Sequence, residues 1–281
     1  MVSNFHTHTS YCDGVGSCLD YVTSAKAQGI VSLGFSAHAP LPLPCAWSIG
    51  ENLLHEYLTE IEQLQINHEL ELYKGLEVDY IPNVTGPEKF RHLLDYTIGS
   101  IHFVDQLPDG TPWEIDGPHI AFNNGLDQIF NANIKDAVHR YFELTREMVE
   151  KDCPDIIGHI DKIKIQNHHA PYFSETEPWY WNELKTTLDH ISRFGGIVEV
   201  NTRGLYQGKT AEPYPGIKAL SYMHQKSIPI TLNSDAHHPN QLTKEFLPTA
   251  KMLHRIGFRE LHMLQRGTWR PIPLTLYGIA C

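Results

Sequence analysis

Short apolar runs alternate with longer amphipathic stretches from one end of the chain to the other. The short runs predict strands at Val2–Phe5, Ile30–Ser36, Glu71–Val78, Tyr96–Ile101, Ile156–Gly158, Gly196–Val200 and Ile228–Leu232. A weaker eighth falls near Glu260–Leu264. The longer stretches predict helices by the spacing of their apolar positions and by their ends. Ser17–Gln28 opens on a capping serine and stops before Gly29. Glu51–His68 follows Gly50, and Asn133–Glu150 carries Ile134, Val138, Tyr141, Phe142 and Met148 near helical spacing. Trp179–Phe194 ends at Gly195-Gly196, and Ile217–Lys226 and Thr243–Ile256 complete the set.

Strand and helix in strict alternation imply parallel strands with helices packed outside them. At 281 residues, a distorted α/β barrel of the (β/α)7, TIM-like kind fits better than two doubly wound domains. No Pro/Ser/Gly linker divides the chain, so residues 1–281 are expected to form a single domain. Asp105–Gly125, rich in Pro, Asp, Asn and Gly, reads as a long loop of the kind that lids a site.

Composition then narrows the function. Lys and Arg total 22 against 33 Asp and Glu, with no basic block, which argues against nucleic acid as a partner. No apolar stretch approaches the roughly 20 residues that cross a bilayer, so no membrane partner is expected. The N-terminus lacks the basic and apolar regions of a signal peptide, and the expected location is the cytoplasm. The cysteines, Cys12, Cys18, Cys45, Cys153 and Cys281, are odd in number and contain no C-x-x-C, which reads as reduced thiols. Histidine is the outlier at 18 residues, and neutral imidazole is the commonest metal ligand.

In a parallel barrel, chemistry gathers where strands end. His6 and His8 follow the first strand; two residues apart in extended chain, they point the same way. Asp13-Gly14 lies in the next turn, and His38 follows the second strand. Glu77, His102 and His159 close the third, fourth and fifth. Asp235 and His237 follow the seventh. Buried acids and imidazoles repeated at six strand ends are hard to explain by packing. Nine side chains suit two or three divalent ions, with Glu77 as the bridge. Such ions outweigh the three carboxylates among the nine and favour an anionic substrate, phosphate above all. His168-His169 and His254 fall off this pattern and read as ordinary surface or helix histidines.

These motifs together resemble the polymerase and histidinol phosphatase superfamily, PHP, over essentially the whole chain. Gly75-Leu76-Glu77-Val78-Asp79, Gly99-Ser100-Ile101-His102-Phe103, Ile157-Gly158-His159-Ile160-Asp161 and Glu199-Val200-Asn201-Thr202 look most like its stand-alone histidinol-phosphate phosphatases. The resemblance implies a trinuclear site of zinc, iron or manganese. His6, His8, Glu77 and Asp235 would hold one ion; Glu77, His102 and His159 the second; Asp13, His38 and His237 the third. It also implies a basic residue three after the motif aspartate, which Lys164 supplies. The Ser-Gly-Leu-Arg pattern after the Glu-x-Asn segment is replaced by Arg203-Gly204-Leu205-Tyr206, with the arginine three positions early.

The expected reaction is hydrolysis of L-histidinol phosphate to L-histidinol and phosphate. Glu77 is central, Arg203 and Lys164 are the candidate phosphate contacts, and Asp161 is either the leaving-group donor or the orienter of His159. Trp113, Glu114 and Asp116 of the long loop are candidates to meet the cationic end of that small phosphorylated substrate. The alternatives are a phosphodiesterase acting on a nucleotide or other small ester, and a metal-binding module without catalysis.

Overall fold

A computed structural model describes residues 2–68, 70–168, 172–275 and 278–279. Four parallel strands come first: β1 (Val2–Asn4), β2 (Ile30–His38), β3 (Glu71–Asp79) and β4 (Tyr96–Ser100). A short antiparallel hairpin, β5 (Phe103–Gln106) and β6 (Pro112–Glu114), intervenes. Parallel strands β7 (Ile156–Ile157), β8 (Ile197–Asn201) and β9 (Ile230–Asn233) then complete a seven-stranded sheet in chain order. The sheet curls until its two edges nearly meet. The His8 amide donates to the Ala236 carbonyl at 2.8 Å, and the Ala236 amide to the His6 carbonyl at 3.1 Å. Barrel closure therefore stitches together the two segments that carry His6, His8, Asp235 and His237.

The eighth strand expected near Glu260–Leu264 forms, but outside the barrel. It is β10 (Glu260–Gln265), antiparallel to β11 (Thr268–Thr275), which pairs onward with β12 (Gly278–Ile279). Ser32 donates to the Leu264 carbonyl at 2.8 Å, and Trp269 packs edge-on against Phe5, so this sheet covers the barrel end away from the histidines.

The helices wrap the outside. α1 (Cys18–Ala27) starts at a capping box between Ser17 and Asp20, which satisfies amides that the first turn leaves free. α2 (Leu54–Asn67) follows a single 3₁₀ turn, Glu51–Leu53. Tyr21, Val22, Tyr57 and Ile61 pack these two against Leu33, Phe35, Leu76 and Val78 of the sheet. After the short α3 (Glu88–Arg91) come α4 (His119–Phe130), α5 (Ile134–Lys151), α6 (Pro178–Phe194), the short α7 (Arg203–Tyr206), α8 (Ile217–Gln225) and α9 (Phe246–Ile256). Tyr141, Phe142, Leu188, Leu220 and Leu253 bury their apolar faces in the second core.

The segment Asp105–Gly125 is not a long loop. It contains most of the β5–β6 hairpin and the first half of α4. Its hydrophobic residues hold it down: Trp113, Ile115 and Phe122 are buried, and the Trp113 indole donates to the Phe122 carbonyl at 3.1 Å. A Cβ at position 125 would lie 2.0 Å from the Trp113 ring, so only glycine lets α4 seat there. Polar composition concealed three well-spaced apolar anchors.

Candidate metal centre

All nine candidate ligands arrive at one end of the barrel, where the strands stop. Glu77, near the end of β3, lies at the middle and is 1% exposed. Its Oε1 accepts from Ser100 Oγ at 2.7 Å and faces His159 Nε2 at 2.9 Å. Its Oε2 faces His6 Nε2 at 3.1 Å, His8 Nε2 at 3.4 Å and His38 Nδ1 at 3.1 Å. Those last three nitrogens are buried and have no hydrogen-bond partner. Native interiors rarely tolerate that. Three orphaned imidazole nitrogens converging on one carboxylate oxygen are what divalent ions would satisfy, and the imidazole and carboxylate donor set suits zinc, iron or manganese.

Four sets of donor atoms come within 4.8 Å of one another: His8, Asp13, His38 and His237; His6, His8 and Asp235; His6, Glu77 and His159; and His38, Glu77 and His102. These sets differ from the expected ones: Glu77 is absent from the set of His6, His8 and Asp235, and His6 joins Glu77 and His159. His8 also joins the Asp13 set, and His102 groups with His38 instead of His159. Asp13 reaches its place on a turn closed by Gly14, where any Cβ would sit 2.0 Å from the His8 carbonyl.

A polar layer behind these groups fixes them. Glu199 on β8 accepts from His6 Nδ1 at 2.6 Å and from the His159 amide at 2.9 Å. Asn201 and Asn233 each donate to Glu199 at 3.0 Å. Asp79 accepts from the His102 amide and faces His102 Nδ1, both at 3.0 Å. Such partners set which ring nitrogen stays free for an ion. They also set the charge. Burial opposes a proton on His6, but Glu199, Glu77 and Asp235 outweigh it and raise the imidazole well above its usual value. His102 is lifted to about 9, Asp79 overcoming burial, whereas burial and His237 lower His8 to about 4. Glu199, Asn201 and Asp79 carried no role in the sequence reading. The signal available was alternation: Asp79 stands two after Glu77, and Asn201 two after Glu199, each pair on one side of its strand.

The cavity over the cluster has a volume of about 310 Å³ and is lined by Asp13, His38, Glu77, His102, Asp235 and His237 together with Trp47, Glu114, Asp116, Lys162, Arg203, Lys209 and Tyr214. Arg203 reaches it from α7: its NH1 donates to the Asp235 carbonyl at 2.8 Å and to His237 Nδ1. The Tyr206 hydroxyl donates to the same carbonyl region, 3.0 Å from the oxygens of Ser234 and Asp235. Lys164 and Asp161 do not line this cavity. They are buried and paired with each other at 2.8 Å, and Lys164 also meets Glu175 at 2.9 Å, facing a separate cavity between α6 and α8. The Asp161 carboxylate accepts from the Gly216 amide, so it ties that loop down and makes no hydrogen bond to His159. The lysines that do line this cavity are Lys162 and Lys209, and Lys162 Nζ lies 3.1 Å from His102 Nε2. Trp113 is buried under the hairpin, whereas Glu114 and Asp116 line the cavity. His168 is exposed at the end of a 3₁₀ segment and His254 lies on α9; His169 and Cys281 fall outside the described residues.

Buried imidazoles and carboxylates gathered at the mouth of a seven-stranded parallel barrel, with Lys162, Arg203 and Lys209 beside them, are the arrangement that a metal-dependent hydrolase of anionic esters would need. The chain belongs to the PHP domain family, whose model matches residues 4–203. It is 27% identical over 272 residues to the "Probable histidinol-phosphatase" of Deinococcus radiodurans, covering 93% of this chain and 96% of that protein. It is 26% identical over 257 residues to the histidinol-phosphatase of Bacillus subtilis, covering 83% and 92%. The fold matches histidinol phosphate phosphatase from Lactococcus lactis, a structure with zinc, L-histidinol and phosphate, at a TM-score of 0.72 and 21% identity over 96% of this chain and 98% of that one. No described helix is long and apolar enough to cross a membrane.

Proposed function

We propose that the chain hydrolyses L-histidinol phosphate to L-histidinol and phosphate. The observation that carries this is the convergence of orphaned imidazoles on Glu77 beneath a small cavity edged with cations. His6, His8, Asp13, His38, Glu77, His102, His159, Asp235 and His237 would hold two or three divalent ions, with Glu77 central among them. Bound ions of this kind lower the pKa of water and neutralise phosphoryl charge. Arg203 donates to the phosphoryl oxygens and is held in place by His237 and the Asp235 carbonyl. Glu199 and Asp79 hold His6 and His102 with their other nitrogens toward the cluster. The hairpin keeps water from one side of the cavity and presents Glu114 and Asp116 to a cationic leaving group. Lys164 and Asp161 serve the structure around α8, and Lys162 takes the cavity position that Lys164 was expected to fill.

Five carboxylates and three cationic side chains line the cavity, so ions are what make it attractive to a phosphate dianion. The relatives named histidinol-phosphatase, matched along nearly their whole length, support the choice of substrate. The test offers metal-reconstituted protein histidinol phosphate, p-nitrophenyl phosphate and bis-p-nitrophenyl phosphate. The expected order of kcat/KM places histidinol phosphate first; a higher value for the diester discards the proposal.

A further inference from the structure

We infer that Lys162 is a further catalytic residue, the hydrogen-bond donor to the departing ester oxygen; this rests on the phosphomonoester reading above. Its Nζ lies 3.1 Å from His102 Nε2 and 2.9 Å from Asp116 Oδ2, and the side chain is only 9% exposed. A buried ammonium is rare unless partnered. Among the described residues Lys162 has Asp116 as its single carboxylate contact, and Asp116 sits on the segment between β6 and α4. Asp116 therefore takes one proton of the amine from the hairpin side, His102 Nε2 faces a second, and a third is left for a ligand in the cavity.

Position assigns the role. Among the imidazoles of the cluster, the His38 ring lies 5.5 Å from His102 and 6.3 Å from His237. Arg203 stands beside His237 and Lys162 beside His102. The two cations thus meet different histidines of the cluster, and both line the cavity above it. The leaving group belongs on the Lys162 side, because what can receive an ammonium and an imidazole is there. Trp47 stacks on Phe103 with ring centroids 5.5 Å apart, its indole donates to Glu114 at 3.2 Å, and its ring is 5.6 Å from His102.

In the step itself, the oxygen of water bonds to phosphorus and the phosphorus–ester oxygen bond breaks, its electron pair staying on the departing oxygen. Lys162 remains protonated and donates a hydrogen bond to that oxygen as charge builds. The alcohol takes a proton from solvent, matching the one the attacking water loses. A preorganised donor aimed at developing charge contributes on the order of 100-fold in rate. Its contribution shrinks when the leaving group is already a stable anion.

The test compares wild type with Lys162→Met and Lys162→Arg, all metal-loaded, on histidinol phosphate and on p-nitrophenyl phosphate. Lys162→Met is expected to lose about 100-fold in kcat on the alkyl ester but under about 10-fold on the nitrophenyl ester, whose leaving group needs little help. Lys162→Arg is expected to recover part of the difference. Calorimetric binding of inorganic phosphate and the metal content per chain are expected to change little in Lys162→Met, whereas Arg203→Met weakens phosphate binding at least tenfold. Equal losses on both esters, an unchanged rate on the alkyl ester, or a matching loss of phosphate affinity would each overturn the inference. If Lys162→Met does not fold, the same comparison with Asp116→Asn, which frees the amine from its clamp, decides between the same outcomes. Wild type inactive on histidinol phosphate sinks the substrate reading instead, independently of how the variants rank on the nitrophenyl ester.

Discussion

Glu77 shows how far a single side chain is committed by its surroundings. One oxygen meets Ser100 and His159, the other meets three orphaned imidazoles. Glu77→Gln keeps the shape and removes the charge that two ions would share. Turnover is expected to drop below detection with circular dichroism unchanged, and metal per chain to fall by at least one equivalent. Full activity in this variant means Glu77 does not bridge. Glu199→Gln acts one layer further out. It leaves His6 Nδ1 without its carboxylate, and a loss of about 10- to 100-fold in metal affinity or activity is expected. Titration of the stripped variant with zinc reads the affinity directly. At this scale the nine candidate ligands could be picked from the sequence because metal-binding residue types recurred at strand ends, and the fold brings them to one end of the barrel. The sequence pointed to Lys164 and gave Lys162 no role. Two residues apart in a 3₁₀ segment, they differ only in which cavity each faces, and that depends on where α8 and the hairpin pack.

Elements dock through apolar faces, with a few polar ties between them. Asp189 on α6 accepts from Tyr222 on α8 at 2.6 Å and meets Lys185 at 2.9 Å and Lys226 at 3.0 Å. Burial works to raise its pKa, but these three donors prevail and lower it to about 2. A carboxylate depressed on folding contributes stability above its unfolded pKa of about 4, and that contribution fades as the pH falls through the folded value. Because Asp189 is 37% exposed, solvent screens the ties, and Asp189→Asn is expected to cost about 0.5–1 kcal/mol at pH 7. The gap between the two proteins, followed by urea denaturation, should close toward pH 2. A gap that widens in acid contradicts the assignment. The helices were legible here because caps such as Ser17 and Asn133 and the apolar spacing of α5 are local signals. The hairpin and α4 were missed because their anchors, Trp113 and Phe122, meet each other and not a periodic face.

For the whole molecule, ion binding and barrel closure are expected to depend on each other. Hydrogen bonds from His8 to Ala236 and from Ala236 to His6 join the first strand to the last beside the cluster. Ions bound there would tie the same two ends together, and any ligand that binds only the folded state stabilises it. Removing metal with a chelator is expected to lower Tm, to abolish calorimetric phosphate binding, and to leave far-ultraviolet circular dichroism near native at low temperature. Phosphate binding that survives chelation would show that Arg203, Lys162 and Lys209 suffice without ions.

The sequence by itself determined the alternation of strands and helices, and therefore the parallel barrel, because both follow from the period of apolar positions and from caps a few residues away. It also determined which residue types end the strands, and so the kind of chemistry. Tertiary structure alone decided which charged groups face the cluster, how the ligands group, and that Asp105–Gly125 folds as a hairpin and helix. Those outcomes depend on contacts between residues far apart in the chain, where a displacement of a few ångströms moves an amine from one cavity to the next.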